Sequence, residues 1–525
     1  MTLYPPSYRQ GFAFYRDLVQ LTSVEFLWLG LFFLLTWLFT VYLPSHKPGL
    51  YTTDISPNRF LTVMLILIAF FITTVVISFY TLQQFANSSD EYAYIFQAEM
   101  FSKGKLWDKA HELPDFFYSH NIAQHEGLRL SRFPPGWPMI LSVAFVTGFP
   151  PFLVNPVLGL VTLIVFYFFA RRYYGEQVAI WSLAALALSG FYIFNAASYF
   201  SHISCALVTL LFVYYVYLYN EKQNLLYGLL AGFFLSLVVI IRYYTAVIIF
   251  IPFVVYLLYH YRLKAIYLFI WIGIGSIPCM AFLFWYNFSI TGNALLPVTV
   301  WAYSEEQLGF VKGHTFRKGI EHLIRWILMF LYWSSPGLLI LYILFLWQKI
   351  KSAADRLIRP EDYTFFLLAV GYFFYYEIGG NQYGPRFLFE ALPFLIVFIV
   401  HKVLQTRERW AVGLLCASLI YAMVKLPFIA YRENRIVIER QDLYKLVDEQ
   451  KIRNAVVFVV SPTSPIRPMP ADDLTRNDAS FSNEVIYALE LPATNRQLME
   501  YYPDRSFYRY VRNLEEVRGR LIKVR

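Results

Sequence analysis

The sequence predicts an α-helical polytopic membrane protein of about twelve spans, ending in a small soluble α/β appendage, and three observations carry that prediction. First, 58% of the 525 residues are hydrophobic and only 15% are charged, where a soluble domain carries about 25% charged residues. Second, apolar runs long enough to cross the hydrocarbon core recur along the chain, with Tyr and Trp gathered at their ends, where amphipathic rings favour the interface. Third, the character changes after residue 428, where the chain becomes charged and strand-like runs replace the long apolar ones.

Spans are expected near residues 21–43, 60–82, 152–170, 178–196, 201–219, 225–241, 244–260, 266–287, 322–348, 362–378, 387–404 and 410–428. The charged stretch Glu221-Lys222-Gln223-Asn224 reads as a hairpin turn between two of them. The run 137–149 is too short to cross and precedes Pro150-Pro151, so it reads as a helix lying against the membrane face. No cleavable signal peptide is expected, because the first apolar run has no small-residue cleavage site after it. These features give a membrane domain over residues 1–428 with an outer loop at 83–151, and a soluble domain over 429–525. Within the latter, Ala455–Val460 and Glu484–Leu489 are candidate strands.

The net charge of +9 does not indicate nucleic acid, since the cations are scattered through connections rather than grouped in a stripe. Arg171-Arg172, Lys222, Arg262 with Lys264, the cluster Lys349, Lys351, Arg356, Arg359, and Arg407 with Arg409 fall in alternate connections. Basic short loops stay in the cytoplasm, so the expected location is the cell's inner (plasma) membrane, with connections 83–151, 197–200, 242–243, 288–321 and 379–386 facing outward. Cys205, Cys279 and Cys416 lie in apolar runs and read as buried thiols, not as a disulfide framework or a zinc site.

The residues able to do chemistry sit in or beside the outward set. Asp90 and Glu91 follow the exit of a span, a position where ionisable groups usually work; a solvated loop pair is the plain alternative. Arg132 opens Arg132-Phe133-Pro134-Pro135-Gly136-Trp137-Pro138, a stiff run suited to presenting a cation, or simply a break before a helix. Arg242, followed by Tyr243-Tyr244, either snorkels to headgroups or clamps a phosphate. Arg386 sits in a glycine-bearing loop, and Glu390, four residues on, is placed to pair with it on one helical face. His202 begins a span, where a lone histidine is more often a satisfied interface residue than a ligand. His111, His120 and His125 share the loop of Asp90, but their spacing fits no standard metal box, and a divalent cation stays open. No phosphate-binding glycine loop, dinucleotide fingerprint or serine elbow is present.

Taken in order, Ser89-Asp90-Glu91-Tyr92, the RFPPGWP run, Ser201-His202, Arg242-Tyr243-Tyr244-Thr245, Tyr286-Asn287 through Thr291-Gly292, Leu308-Gly309-Phe310, Gly313-His314-Thr315 and Tyr383-Gly384-Pro385-Arg386 resemble the GT-C superfamily of polyprenyl-phosphate-sugar glycosyltransferases. The resemblance is to bacterial relatives of protein O-mannosyltransferases and aminoarabinose transferases, and spans roughly residues 80–400. It implies a membrane-embedded hexosyl or pentosyl transferase that takes sugar from a polyprenyl-phosphate donor to an extracytoplasmic acceptor: protein, lipid or cell-envelope glycan. Under it, Asp90 is the base that deprotonates the acceptor, and Glu91 supports it or holds the acceptor or a cation. Arg132, Arg242 with Tyr243, His202, Tyr383 and Arg386 are the donor-phosphate candidates. Two departures stand out: an extra apolar run (21–43) precedes the acidic motif, and the terminal appendage is not part of the common core. The competing class is a transporter or lipid-linked-sugar flippase, which predicts charges at mid-membrane and broken helices in two repeat halves; here they gather at one face.

Overall fold

The computed structural model describes residues 23–42, 59–302, 308–311, 313–351, 359–379, 382–406, 408–460, 471–512 and 518–524. The expected features at Arg356, Arg407, Gly380-Asn381 and the Pro- and Ser-rich stretch 461–470 lie outside them.

Helices occupy every position where the sequence places a span. They are α1 (Ser23–Tyr42), α2 (Arg59–Val76, closed by a π-helical turn at Ile77–Thr81), α5 (Val154–Tyr174), α6 (Glu176–Leu188), α7 (Gly190–Ala197), α8 (His202–Lys222), α9 (Leu225–Ile241), α10 (Tyr243–Tyr261), α11 (Lys264–Thr291), α12 (Phe316–Trp333), α13 (Pro336–Lys351), α14 (Pro360–Phe373), α15 (Leu392–Gln405) and α16 (Arg409–Glu449). Among the described residues, seven are long and apolar enough to cross a membrane, or eight with the bent pair α6–α7. The protein is thus a multi-span membrane protein, with shorter spans than the sequence suggests at two places. The expected span 178–196 turns by 62° between Leu188 and Gly190, where Gly190 packs so closely that a Cβ would come within 2.9 Å of the Trp333 carbonyl oxygen. The expected span 322–348 is two helices, broken at Ser334-Ser335 ahead of Pro336, whose ring cannot continue the hydrogen-bond ladder. The face helix expected at 137–149 is α4 (Gly136–Thr147), and Asn224 in the charged hairpin caps α9 by accepting from the Leu226 N–H at 2.9 Å. Lys349, one of the cations used to orient the chain, is buried and paired with Asp362 at 2.5 Å.

The tightest helix contact joins α9 to α11. A Cβ on Gly232 would stand 2.1 Å from the Ile272 carbonyl oxygen, and one on Gly275 2.0 Å from that of Leu229. Small residues here let two backbones meet, which is how helices gain packing energy where lipid leaves no hydrophobic drive between them. Ser276 adds a hydrogen bond to the Gly232 carbonyl at 2.9 Å. Gly232→Leu is expected to force α9 and α11 apart and abolish recovery of monodisperse protein in detergent. Normal yield and elution of that variant would refute the contact.

The outer loop is ordered. It holds α3 (Ser89–Ser102), a short 3-10 turn at Pro114–Phe117, and a three-stranded antiparallel sheet of β1 (Asp108–Lys109), β2 (Ile122–His125) and β3 (Leu128–Ser131) in the order β1-β3-β2. The terminal region is a second sheet. It comprises β4 (Ala455–Val459), β5 (Val485–Leu489), β6 (Ser506–Val511) and β7 (Arg520–Lys523), in the order β5-β4-β6-β7, with β4 parallel to both neighbours and β7 antiparallel to β6. The unbroken α16 runs 41 residues, about 60 Å at 1.5 Å per residue. It therefore reaches past a hydrocarbon core of about 30 Å, passes through the expected boundary at 428/429, and lays Leu443, Leu446 and Val447 on one face of the second sheet.

Candidate active site

Asp90 lies in the first turn of α3, where the helix's unpaired N–H groups favour negative charge. The helix is capped by Ser88, whose hydroxyl accepts from the Glu91 N–H at 3.2 Å. The preceding link turns through Gln83 and Gln84, both at positive φ (50° and 55°). It is pinned by the Tyr199 hydroxyl donating to the Gln84 carbonyl at 3.0 Å and by Lys445 of α16 donating to the Gln83 side chain at 2.9 Å.

From the far end of the sequence, Arg386 reaches Asp90. Its NH2 group donates to Asp90 Oδ2 at 3.0 Å, its Nε donates to the Gly379 carbonyl at 2.8 Å, and its guanidinium lies 3.8 Å from the centre of the Phe200 ring. The pairing of Arg386 with Glu390, expected from their spacing, does not form. Residues 386–391 are a 3-10 helix, in which a step of four residues rotates by roughly 120° instead of returning to the same face. Glu390 is fully buried and instead sits 3.1 Å from His202 Nδ1 and 3.4 Å from Arg242 Nε. Arg242 occupies the break between α9 and α10, with its Nε 3.3 Å from the Thr245 hydroxyl oxygen and its NH2 3.5 Å from that of Tyr372. Tyr94, one turn along α3 from Asp90, connects the two pairs: burial raises its phenol to about 12, and it lies within electrostatic reach of Asp90, Arg242 and Arg386.

Two acids, adjacent in sequence, thus have different surroundings. The Asp90 side chain is 28% exposed; Glu91 is fully buried, accepting from the Tyr199 N–H at 3.0 Å and from the Ser88 hydroxyl at 3.1 Å. Burial raises the Glu91 carboxyl from 4.5 to about 7. The folded protein therefore keeps this proton up to about pH 7, whereas the unfolded chain releases it near pH 4.5. Stability falls as pH rises through that window, by about 1.4 kcal/mol per pH unit, and the loss is complete above it. Glu91→Gln keeps an acceptor for Tyr199 and carries no charge. The variant is expected to gain unfolding temperature over the wild type at pH 8 and to match it at pH 5. A difference that does not change with pH would count against this account.

The remaining candidates spread around this centre. Arg132 follows β3, is buried, and donates through its backbone N–H to the Asn121 carbonyl at 3.2 Å; its guanidinium lies 5.7 Å from the Phe133 ring. Tyr383 is fully buried at φ 57°, stacked on Phe194, with the Asn87 amide nitrogen 3.3 Å from its hydroxyl. The next residue is glycine of necessity: Gly384 has φ +103° and its Cβ would lie 2.4 Å from the Phe191 ring. Tyr243 packs against Ile240, Cys279 and Leu283. Among the described residues, no three His, Cys, Asp or Glu side chains gather as a metal site. His111 packs at a tilt against Phe117 and meets the Tyr502 hydroxyl at 2.9 Å, and burial lowers its ring to about 4.

Sequence reasoning did not single out Asn121 or Tyr94. Asn121 is buried and donates to Asp90 Oδ1 at 2.7 Å and to the Ser89 hydroxyl at 2.9 Å; no motif marks it. The buried role of Glu91 did leave a trace, because Ser88-Ser89-Asp90-Glu91 has the spacing of a capping box.

Among known proteins, residues 137–285 match the family profile of the dolichyl-phosphate-mannose-protein mannosyltransferases, and residues 455–519 match a domain of unknown function, DUF7846. No curated protein matches the sequence significantly. The fold is similar to the crystal structure of ArnT from Cupriavidus metallidurans in the apo state, with a TM-score of 0.53 at 11% identity over 87% of this chain and 97% of that one. It is also similar to the same protein bound to undecaprenyl phosphate, with a TM-score of 0.50 at 10% identity over 89% and 98%. The family match takes in Ser201-His202 and Arg242–Thr245 but ends short of Arg386 and begins after Asp90. Residues 137–285 are thus similar to a mannosyltransferase family, and the chain as a whole is a multi-span membrane protein with a fold similar to that of ArnT.

Proposed function

We propose that the protein transfers a sugar from a polyprenyl-phosphate-linked donor to an acceptor outside the cytoplasm (a protein, a lipid or an envelope glycan), with Asp90 as general base. The observation that carries this reading is the exposure of Asp90 beside the buried Arg386. Of the three carboxylates in the cluster, Glu91 and Glu390 are fully buried, and only Asp90 is open enough to meet an acceptor, with 28% of its side chain exposed. A base needs that access and a lone pair within about 3 Å of the proton it takes. Arg386 holds the carboxylate in place and, with Arg242, offers N–H groups for the leaving phosphate, a role guanidinium geometry suits. The undecaprenyl phosphate bound by ArnT supports the same donor class here. The site faces the periplasm or exterior in this reading, opposite the basic connections.

Purified protein in lipid nanodiscs, given radiolabelled polyprenyl-phosphate sugars and envelope extract, should move label from lipid to an acceptor. The Asp90→Asn variant should not. Equal transfer by both removes Asp90 as base, and no transfer by the wild type with any such donor removes the donor class.

A further inference from the structure

The outer loop and the terminal sheet are built into one another. Phe116 and Phe117 of the loop fill the face of the sheet opposite α16, against Val456, Phe458, Ile486 and Phe507. Just beyond, the sheet domain takes hold of the loop's irregular backbone: Thr475 donates to the Tyr118 carbonyl at 3.2 Å, and Asp472 accepts from the His120 N–H at 3.2 Å. The next residue is Asn121. Its amide nitrogen faces Asp90 because a carboxylate can only accept, and with Arg386 on the other oxygen, each oxygen of Asp90 accepts a hydrogen bond from a different residue.

We infer that Asn121 is a positioning residue for Asp90, and that the terminal domain serves the reaction by holding Asn121 in place. The inference rests on the reading of Asp90 as base. A partly exposed aspartate at a helix start turns freely about two bonds. Arg386 alone fixes one of its oxygens and leaves the carboxylate plane to rotate; a second donor from another direction stops that rotation. Asn121 in turn lies in the turn between the 3-10 helix and β2, where its carbonyl accepts from the Arg132 N–H at 3.2 Å while no backbone bond among the described residues reaches the Tyr118 carbonyl or the His120 N–H. Polar groups there need partners from elsewhere, and Thr475 and Asp472 supply them. A misplacement of about 1 Å in a reacting group costs on the order of 100-fold in rate, so this relay has leverage on catalysis without touching substrate.

The test uses the full chain in nanodiscs with a polyprenyl-phosphate sugar donor, comparing Asn121→Ala and the double variant Asp472→Ala with Thr475→Val. Asn121→Ala is expected to lower kcat on the order of 100-fold while donor KM stays within about twofold, because the donor site is untouched. The double variant should lower kcat in the same way by a smaller factor, with the unfolding temperature of the membrane domain retained. A kcat within about threefold of wild type for Asn121→Ala overturns the inference. So does a fall in kcat that merely tracks lost folded protein. If Asn121→Ala fails to fold, the double variant decides, and an unchanged kcat there is fatal. Inactivity of the wild type overturns the donor reading and the inference with it, whereas an active wild type, an inactive Asp90→Asn and an active Asn121→Ala overturn the inference alone.

Discussion

Replacing Asp90 by Asn is expected to lower kcat for sugar transfer by about 100- to 10,000-fold, the usual worth of a positioned general base, with little change in donor KM. Asparagine fills the same space but has one acceptor oxygen, so with that oxygen on Arg386 its own NH2 group faces the Asn121 amide nitrogen and one of the two hydrogen bonds is lost. The variant therefore removes the base together with one of its two anchors, and Asn121→Ala, which keeps the carboxylate, separates the two effects. Asp90→Glu adds a methylene to a carboxylate held at 2.7 Å by Asn121 and 3.0 Å by Arg386; it should keep the charge, lose the geometry, and fall between wild type and Asn. Titrating kcat against pH for each variant supplies a check: an Asp90→Glu enzyme as fast as wild type would show that the carboxylate's placement does not matter, contrary to the site's construction.

The largest stability effect is expected at Glu390. It is fully buried, and both His202 and Arg242 lean on its Oε1 atom. Glu390→Ala leaves the Arg242 guanidinium without its carboxylate in a water-poor setting. Breaking a buried pair by removing one partner costs about 3–5 kcal/mol, a large share of the 5–15 kcal/mol that holds a typical protein together. Glu390→Gln keeps an oxygen for His202 and should cost less. The order wild type, Gln, Ala in thermal unfolding is the expected result; an alanine variant as stable as wild type would mean that Arg242 finds another partner.

The helices were legible from the sequence because each apolar run has only one way to satisfy its backbone in lipid. Where a run was misjudged, short-range chemistry overrode hydropathy: Ser334-Ser335-Pro336 divides an otherwise continuous stretch, and Gly190 permits a bend that average hydropathy does not register. The site was only partly legible. Asp90 and Arg386 stood out as charges at a membrane face, and the structure brings them together across most of the chain. The partner of Glu390 could not be read, because the spacing argument assumes an α-helix where the backbone takes the tighter 3-10 turn. Asn121 was invisible: a single amide in a polar loop acquires meaning only when folding brings it to a carboxylate thirty-one residues away in sequence. Hydropathy fixes elements one at a time, whereas the pocket is assembled from pieces that no local window contains.

Because Phe116 and Phe117 are covered by strands drawn from residues 455–511, the order of biosynthesis matters. The early helices can enter the bilayer while the 83–151 loop still lacks its cover, and two large aromatic rings stay unburied until the distal strands have been made. Chains interrupted before that point would be inserted in the membrane yet inert, with a sticky loop that invites chaperones or proteases. Catalytic competence would then arrive as a late event in maturation rather than with membrane insertion.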